Sequence, residues 1–226
     1  MNTCNCEGCE LRSLFFEHIA SSEIEIICSR KTEKTYSAGE LIIKEGTEIH
    51  DFIYLQKGLV KFFHTNNKQE QIIAFAGPLD FVSLLSIFSE SHYNYSATAL
   101  TDTTVCILSL NQVKQMAEQN GRFAIGIIEK LNHATDTIIL SLLEIKSHRM
   151  YGKVAYILLY FSREIYNSLI FELPVSRKEI AEYIGLTTEN VIRSLSEFRK
   201  DGIIKISGKT IDIIDPDRLK KIIELD

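Results

Sequence analysis

The chain has 226 residues, of which 45% are hydrophobic and 24% are charged, and its formal net charge is −5. This length and composition suit one large folded domain or two smaller ones. The chain has no apolar run long enough to span a membrane, and its N-terminus lacks the basic and apolar regions of a secretory signal. We therefore expect a cytoplasmic protein without a membrane partner, whose five cysteines are thiols or metal ligands rather than disulfides.

The negative charge is unevenly distributed along the chain. Residues 149–226 contain 13 Lys and Arg against 12 Asp and Glu, whereas residues 1–148 contain 12 against 18. An acidic surface repels nucleic acid, but basic side chains in the balanced C-terminal part can still face phosphates. Charge therefore permits nucleic-acid binding by the C-terminal part without indicating it.

Short strand patterns separated by turn residues run from about Thr35 to Leu110. The strands are rich in β-branched and aromatic residues, and Gly39, Gly46 and Gly58 lie between them at spacings that suit a rolled sheet. The clearest patterns are DFIYLQKGLVKFFHT, EQIIAFAG and TVCILSL. We predict a compact antiparallel barrel or roll in this half of the chain.

From Gly121 to about Ser147 the apolar period becomes that of one long helix. A seam with alternating three- and four-residue steps consists of Ile128, Leu131, Thr135, Ile138, Leu142 and Ile145. Beside it, a second stripe of Ile127, Ile139 and Leu143 is predicted to pack on the roll. A buried core helix is the alternative, but an unbroken seam of this kind is typical of a dimerisation helix.

Two short amphipathic helices follow in the C-terminal part. Ser176 and Glu179 have the spacing of a capping box at the start of the first helix, and Gly185 is suited to end it. Thr187 is a suitable N-cap for the second helix, which is predicted to continue to about Lys200. This pattern predicts a helix-turn-helix.

A β-hairpin is predicted around residues 207–209, and a last helix begins at Asp215. A helix, a helix-turn-helix and a hairpin, in that order, are typical of a winged helix-turn-helix domain. The chain is therefore predicted to be α+β. Its predicted domains are residues 1–120 (sensor domain with a Cys-rich N-terminal segment), 121–148 (dimerisation helix and hinge) and 149–226 (DNA-binding domain).

In a helix-turn-helix domain, the second helix enters the major groove with its N-terminal residues nearest the bases. Those residues here are Thr188, Glu189, Asn190 and Arg193. Arg can donate two hydrogen bonds to guanine and Glu can accept one from cytosine, and a good pair discriminates by about 1–3 kcal/mol. The four-residue spacing also predicts that Glu189 orients the guanidinium of Arg193.

Further DNA-binding residues are predicted at the two helix starts and in the hairpin. They are Ser176, Arg177, Thr187 and Lys209, and the basic ones among them suit phosphate contacts. A solvated Glu–Arg pair on an ordinary surface helix is the alternative. The cap, the turn glycine, the hairpin and the upstream helix together favour DNA binding.

The chain resembles the cyclic-AMP receptor protein and fumarate–nitrate reduction regulator family of bacterial transcription factors. Three stretches carry the resemblance: AGELIIKEGTEIHDFIYLQKGLVKFF, EQIIAFAGPLDFVSLLSIF and RKEIAEYIGLTTENVIRSLSEFRKDGIIKISGKTIDI. They resemble the start of the family's β-roll, the segment leading into its effector pocket, and its DNA-binding domain. The resemblance implies a cyclic-nucleotide-binding-like jelly roll, a homodimer, a palindromic operator in double-stranded DNA, and contact with RNA polymerase.

In that family a Glu and, four residues later, an Arg read bases, and Glu189 and Arg193 match both. The cyclic-AMP branch has an additional Arg where this chain has Thr188, so the resemblance favours the fumarate–nitrate branch. Ile192 replaces a small polar residue that is common in that branch. The bases of the operator therefore stay open.

The resemblance also places an effector pocket at Ser83, Leu84, Tyr95 and the adjacent Ser96. Family members that bind cyclic nucleotides have a Gly-Glu pair at the first two of these positions and an Arg at the third. Leu cannot accept a hydrogen bond from the ribose, and Tyr brings no positive charge to the phosphate. Cyclic AMP is therefore not the expected effector.

Four cysteines suggest a different signal. Cys4, Cys6 and Cys9 are clustered, and Cys106 matches the distant cluster ligand of the oxygen-sensing branch, so the resemblance implies a possible [4Fe–4S] cluster. The N-terminal spacing is narrower than the family pattern. Four thiolates also suit structural zinc, and reversible thiol oxidation or another ligand such as haem stays open.

No Gly-rich phosphate loop, paired-His metal motif or nucleophile elbow occurs in the chain, so an enzyme is not expected. The alternative to a regulator is a nucleotide-binding-like module that does not bind DNA. The sequence predicts a homodimeric DNA-binding transcription regulator that senses a redox, gas or small-molecule signal.

Overall fold

The computed structural model describes residues 31–66, 69–83 and 87–226. The predicted ligands Cys4, Cys6 and Cys9 and the predicted pocket residue Leu84 lie outside these residues. The described residues form two compact units. The first contains residues 31–65, 74–83 and 87–137, and the second contains Asn66 and residues 69–73 and 138–226. The predicted domain limits stay predictions.

The strands of the N-terminal half are β1 (Thr32–Tyr36), β2 (Leu41–Ile43), β3 (Asp51–Lys57), β4 (Val60–Asn66), β5 (Gln69–Ala76), β6 (Ser96–Ala99) and β7 (Thr103–Ser109). They form two sheets, in the orders β1-β7-β3 and β2-β6-β4-β5. Strand β7 is antiparallel to β1 and β3, and β6 is antiparallel to β2 and β4. The predicted β-roll is confirmed.

Aromatic side chains fill the interior of the roll. The ring centroid of Phe81 lies 5.0 Å from that of Phe52 and 5.5 Å from that of Tyr54. Four consecutive residues of β3, Phe52 to Leu55, are buried, so this strand is covered on both faces. Each such side chain contributes roughly 1.5–3 kcal/mol when it is fully removed from water.

Helix α1 (Leu110–Gln119) follows the roll, and the long helix α2 (Gly121–Ser147) follows α1. One face of α2 is buried, at Phe123, Ile127, Ser141 and Ile145. Ser141 can be buried because it hydrogen-bonds the hydroxyls of Tyr156 and Tyr183. A buried serine is not evident from an apolar period, so the sequence could not identify this face.

The exposed face of α2 is not the seam that the apolar period predicts. Ile145, which was assigned to the seam, is only 5% exposed, whereas Ile139 and Leu143 of the second stripe are 49% and 58% exposed. The predicted packing of this stripe on the roll stays a prediction for Ile139 and Leu143, which belong to the second unit. The exposed row with the same alternating steps is Ile125, Ile128, Asn132, Thr135, Ile139 and Leu142. We call it the exposed row.

The second unit continues with α3 (Met150–Tyr160), a π-helical turn (Phe161–Ile165), β8 (Ile170–Glu172), α4 (Arg177–Ile184), α5 (Thr188–Lys200), β9 (Ile204–Ser207), β10 (Thr210–Ile213) and α6 (Pro216–Leu225). The three strands form an antiparallel sheet in the order β8-β10-β9. A helix-turn-helix followed by a hairpin is the predicted winged arrangement. None of the helices in the described ranges is both long and apolar enough to cross a membrane.

Candidate nucleic-acid interface

The helix-turn-helix starts from a complete capping box. The Oγ of Ser176 accepts a hydrogen bond from the Glu179 N–H at 3.1 Å, and Glu179 Oε2 accepts one from the Ser176 N–H at 2.8 Å. Gly185 ends α4 with φ at 66°, in the left-handed region that glycine adopts without steric cost. The predicted cap and turn are confirmed, and together they set the direction in which the chain enters α5.

Helix α5 begins at the second predicted cap. The Oγ1 of Thr187 accepts a hydrogen bond from the Asn190 N–H at 3.3 Å. Val191, Leu195 and Phe198 are buried, so they anchor one face of α5 in the unit. Glu189 and Arg193 are exposed at the amino end of the same helix, and Thr188 and Asn190 are partly exposed there. The four predicted base-reading residues therefore share one helix end that reaches solvent.

The carboxyl group of Glu189 is held in its charged form. A hydrogen bond from its own backbone N–H and one from the Thr187 side chain lower its pKa. These donors belong to the first turn of a helix, where the unpaired N–H groups favour negative charge. Glu189 is therefore an acceptor at neutral pH, as a contact with cytosine N4 requires.

Arg193 has different partners from the predicted one. Its Nη2 donates to Met150 Sδ at 3.1 Å and to Asn190 Oδ1 at 3.5 Å. Among the described residues no ion pair joins Arg193 to Glu189, so the expected intrahelical pair is not formed. Met150 is the first residue of α3, and a contact between helices cannot be read from the spacing within one of them. Sequence reasoning missed Met150, and no sequence signal marks it.

The predicted phosphate-contact residues lie at helix starts and in the hairpin turn. Arg177 is the first residue of α4 and is partly exposed, and desolvation by burial lowers its pKa. Lys209 is exposed in the two-residue turn between β9 and β10, where Gly208 has φ at 62°. The Lys209 carbonyl accepts from the Leu173 N–H at 2.9 Å, which holds the turn against the chain that precedes α4.

The described residues of the predicted effector pocket are buried in the roll and hydrogen-bonded there. Ser83 Oγ accepts from the Ile53 N–H at 2.8 Å, and Ser96 Oγ accepts from the Glu45 N–H at 3.1 Å. The Tyr95 hydroxyl donates to the Val82 carbonyl at 2.8 Å, and its ring packs edge-on against Phe62 at 5.5 Å. These polar atoms stabilise the roll itself.

Cys106 lies in β7, the central strand of the first sheet, and is buried. Its Sγ lies 3.8 Å from Lys31 Nζ. Within the described ranges, no group of three or more His, Cys, Asp or Glu side chains could hold a metal ion. Because the other three predicted ligands lie outside those ranges, the iron–sulfur and zinc predictions stay predictions.

A β-roll, a long helix and a winged helix-turn-helix in one chain define a class of proteins in which a sensing domain is linked to a DNA-binding domain. Residues 33–120 match the family model of the cyclic nucleotide-binding domain, and residues 152–222 match that of the Crp-like helix-turn-helix domain.

Full-length relatives and a solved structure agree with these matches. The chain is 26% identical over 220 residues to electron transport regulator A of Shewanella oneidensis, with 93% of this chain and 87% of the relative covered. It is 26% identical over 222 residues to the transcriptional activator protein anr of Pseudomonas aeruginosa, with 93% and 89% covered. FixK2 from Bradyrhizobium japonicum superposes with a TM-score of 0.78 at 26% identity, covering 85% of this chain and 96% of that one.

The chain belongs to the Crp/Fnr family of transcription regulators. It is a DNA-binding regulator and not an enzyme, and the alternative of a module without DNA binding is not supported. The predicted family and function class are confirmed.

Proposed function

We propose that this regulator binds a two-fold symmetric operator as a homodimer and reads its bases with Glu189 and Arg193. The observation that carries the proposal is the geometry of α5. Its buried face is anchored by Val191, Leu195 and Phe198, and its amino end presents an ionised carboxylate and a guanidinium to solvent. A helix held in this way is rigid enough to place both groups in a major groove.

Thr188 and Asn190 lie in the first turn of α5 beside the base-reading pair and are proposed to face the bases with it. The remaining predicted residues position the protein on the duplex. Ser176, Arg177 and Thr187 stand at the helix starts and Lys209 stands at the hairpin turn, where hydroxyl, backbone and cationic donors suit phosphate oxygens. Phosphate contacts fix register without specifying sequence, so these residues contribute affinity on every sequence.

The exposed row of α2 supports the homodimer. Ile125, Ile128, Ile139 and Leu142 are each at least 40% exposed on one face of a 27-residue helix. The same row from a second copy would cover them in a coiled coil, and the steps of three and four residues are those that such packing needs. Two recognition helices would then meet half-sites about 34 Å apart.

The signal acts on the N-terminal half, and the proposal is that it is a redox change, a gas or a small molecule other than cyclic AMP. Two observations support the exclusion of cyclic AMP. The Ser83 and Tyr95 hydroxyls are used inside the roll, and no cationic group stands at position 95 to bind a cyclic phosphate. Iron, sulfide and zinc analysis of anaerobically purified protein separates the cluster, zinc and thiol alternatives. We also propose that the regulator acts in the cytoplasm and contacts RNA polymerase.

Replacing Arg193 tests the base-reading role. A preferred duplex is first selected from a random pool with the native protein, and affinities are then measured at one salt concentration. Arg193→Ala should weaken binding to that duplex by about 1–3 kcal/mol, because it loses a bidentate contact with a base. Binding to random DNA should change much less.

Arg199→Ala is the matched control, since Arg199 is exposed on the same helix near its carboxyl end, away from the base-reading residues. It should keep the native sequence preference. Unchanged affinity and preference in Arg193→Ala would remove Arg193 from the interface.

A further inference from the structure

The contact of Arg193 with Met150 joins the base-reading helix to the start of α3. Nη2 of Arg193 lies 3.1 Å from Met150 Sδ, closer than the 3.5 Å to Asn190 Oδ1. A thioether sulfur is a weak hydrogen-bond acceptor. The reduced side chain therefore holds the guanidinium loosely, and Arg193 can exchange this contact for a guanine.

The first turn of α3 is fixed, so Met150 stays beside Arg193. The Gly152 N–H donates to Asp226 Oδ2 at 2.9 Å, which caps this end of the helix. The ring of Tyr151 lies 6.1 Å from the ring of Phe198, a buried residue of α5. Met150 itself is partly exposed, so a small oxidant can approach its side chain.

Oxidation would change this contact from weak to strong. In a reaction with hydrogen peroxide, a sulfur lone pair attacks one peroxide oxygen, the S–O bond forms and the O–O bond breaks. The departing oxygen takes up the proton of the transferred oxygen and leaves as water. The sulfur loses two electrons and the peroxide gains them. The product is a methionine sulfoxide, whose polar oxygen is a strong acceptor for a guanidinium.

We propose that Met150 is an oxidation site that controls whether Arg193 can reach the DNA bases. In the oxidised form, the sulfoxide oxygen of Met150 holds the guanidinium of Arg193 at the start of α3. The regulator then loses its preference for the operator without any change in its N-terminal sensor. The inference rests on the proposed role of Arg193 in reading bases. Among the described methionines, Met116 lies in α1 of the first unit and provides the natural comparison.

The test uses the full chain and the duplex selected with the native protein. The protein is treated with hydrogen peroxide and then with a thiol reductant, and peptide mass spectrometry measures sulfoxide at each methionine. Oxidation at Met150 should weaken binding to the selected duplex by roughly 10- to 100-fold, the loss expected for one bidentate base contact. Methionine sulfoxide reductase with thiol should restore binding, whereas thiol alone should not.

Two substitutions separate Met150 from every other oxidisable group. Met150→Leu removes the sulfur at similar volume, and its affinity should not change on peroxide treatment. Met116→Leu should bind like the native protein and remain sensitive to peroxide. Met150→Gln places a permanent amide oxygen near Arg193 and should weaken operator binding without peroxide, which gives a second test if Met150→Leu folds poorly.

Native affinity after complete oxidation of Met150, or equal peroxide sensitivity in Met150→Leu, overturns the inference. The Arg193→Ala result separates the two proposals. If Arg193→Ala keeps the sequence preference, the base-reading role fails. If it loses the preference while Met150 oxidation has no effect, only the oxidation site fails.

Discussion

Leu79 adopts a backbone conformation that side chains disfavour. Its φ is 78°, and Leu79 and Asn167 are the non-glycine residues with positive φ in the described part of the chain. The Asp80 N–H donates to the Gly77 carbonyl at 3.2 Å, and Asp80 Oδ2 accepts from the Gly77 N–H at 2.8 Å. With Pro78 in second place, this is a turn whose third position favours glycine. Two hydrogen bonds and the proline therefore hold Leu79 in a strained conformation.

Replacing Leu79 with glycine should stabilise the protein. The left-handed conformation costs a leucine roughly 1–2 kcal/mol, and the extra freedom of an unfolded glycine offsets part of the gain. We expect Leu79→Gly to raise the free energy of unfolding by about 0.5–1 kcal/mol in urea titrations. Leu169→Gly is the control and should destabilise, because Leu169 is similarly exposed but has no positive φ. If Leu79→Gly is less stable than the native protein, the conformation of Leu79 does not carry this strain.

Tyr93 makes the stability of the roll sensitive to alkaline pH. Burial, with a smaller effect of the nearby Asp51 charge, raises the pKa of Tyr93 from 10.0 to about 12. The unfolded chain releases this proton near pH 10 and the folded chain near pH 12. The stabilising contribution is therefore complete below pH 10 and is lost as the pH rises to 12.

Tyr93→Phe should weaken this pH dependence. A shift of the Tyr93 pKa from 10.0 to about 12 corresponds to a loss on the order of 2 kcal/mol in the free energy of unfolding between those two pH values. The variant has no phenol hydroxyl at this position, so it should not show this loss. Urea titrations at several pH values in this window measure it. If the free energy of unfolding falls equally with pH in the native protein and in the variant, the pH dependence does not come from Tyr93.

Among the secondary-structure elements, the short helix α4 depends on its cap. It has only 8 residues, and a helix this short is unstable in isolation, so its end contacts and its buried face decide whether it forms. Ile180 and Ile184 are buried on that face. The capping box at Ser176 and Glu179 satisfies N–H groups that would otherwise be unpaired. Because α4 leads directly into α5, its cap also helps to place the helix that is proposed to read bases.

Ser176→Ala should lower the free energy of unfolding by about 1 kcal/mol, the usual cost of losing a helix N-cap. Urea unfolding followed by circular dichroism measures the change. Ser196→Ala is the matched control, since Ser196 is exposed in the middle of α5 and should change stability by less than about 0.5 kcal/mol. Equal stability of Ser176→Ala and the native protein would mean that the buried face alone holds α4.

For the molecule as a whole, the proposed homodimer depends on the exposed row of α2. Its large apolar side chains lie on one helix face, and water is an unfavourable environment for so much contiguous apolar surface. The row also contains Asn132 and Thr135. A polar residue inside such a seam favours one register and one number of strands at some cost in stability.

Ile139→Glu should shift the protein from dimer to monomer, because it places two like charges in an apolar interface. Sedimentation velocity measures the shift, and operator affinity should fall with it because one half-site contact is lost. Leu225→Glu is the control, since Leu225 is 87% exposed in α6 and lies off the row. A native protein that is monomeric at micromolar concentration, or a dimer that persists in Ile139→Glu, would contradict this interface.

The helix caps, turns and hairpin of this protein could be predicted from its sequence. The capping box at Ser176, the glycine after α4, the Thr187 cap and the hairpin at Gly208 each depend on a few neighbouring residues. Strand patterns rich in β-branched and aromatic residues, with glycines between them, predicted the roll for the same reason. Identity and spacing within one segment were sufficient, so the winged helix-turn-helix followed from the sequence by itself, and so did the proposal that Glu189 and Arg193 read bases.

Only the tertiary structure decided which groups meet across segments. Ile145 is buried and Ile139 exposed on α2, where Ser141 on the buried face hydrogen-bonds tyrosine hydroxyls of two later helices. Arg193 contacts Met150, 43 residues earlier, instead of the glutamate one turn away. Such contacts depend on how separate helices pack, and apolar periodicity describes one helix at a time. Packing therefore determined the exposed row and the partner of Arg193.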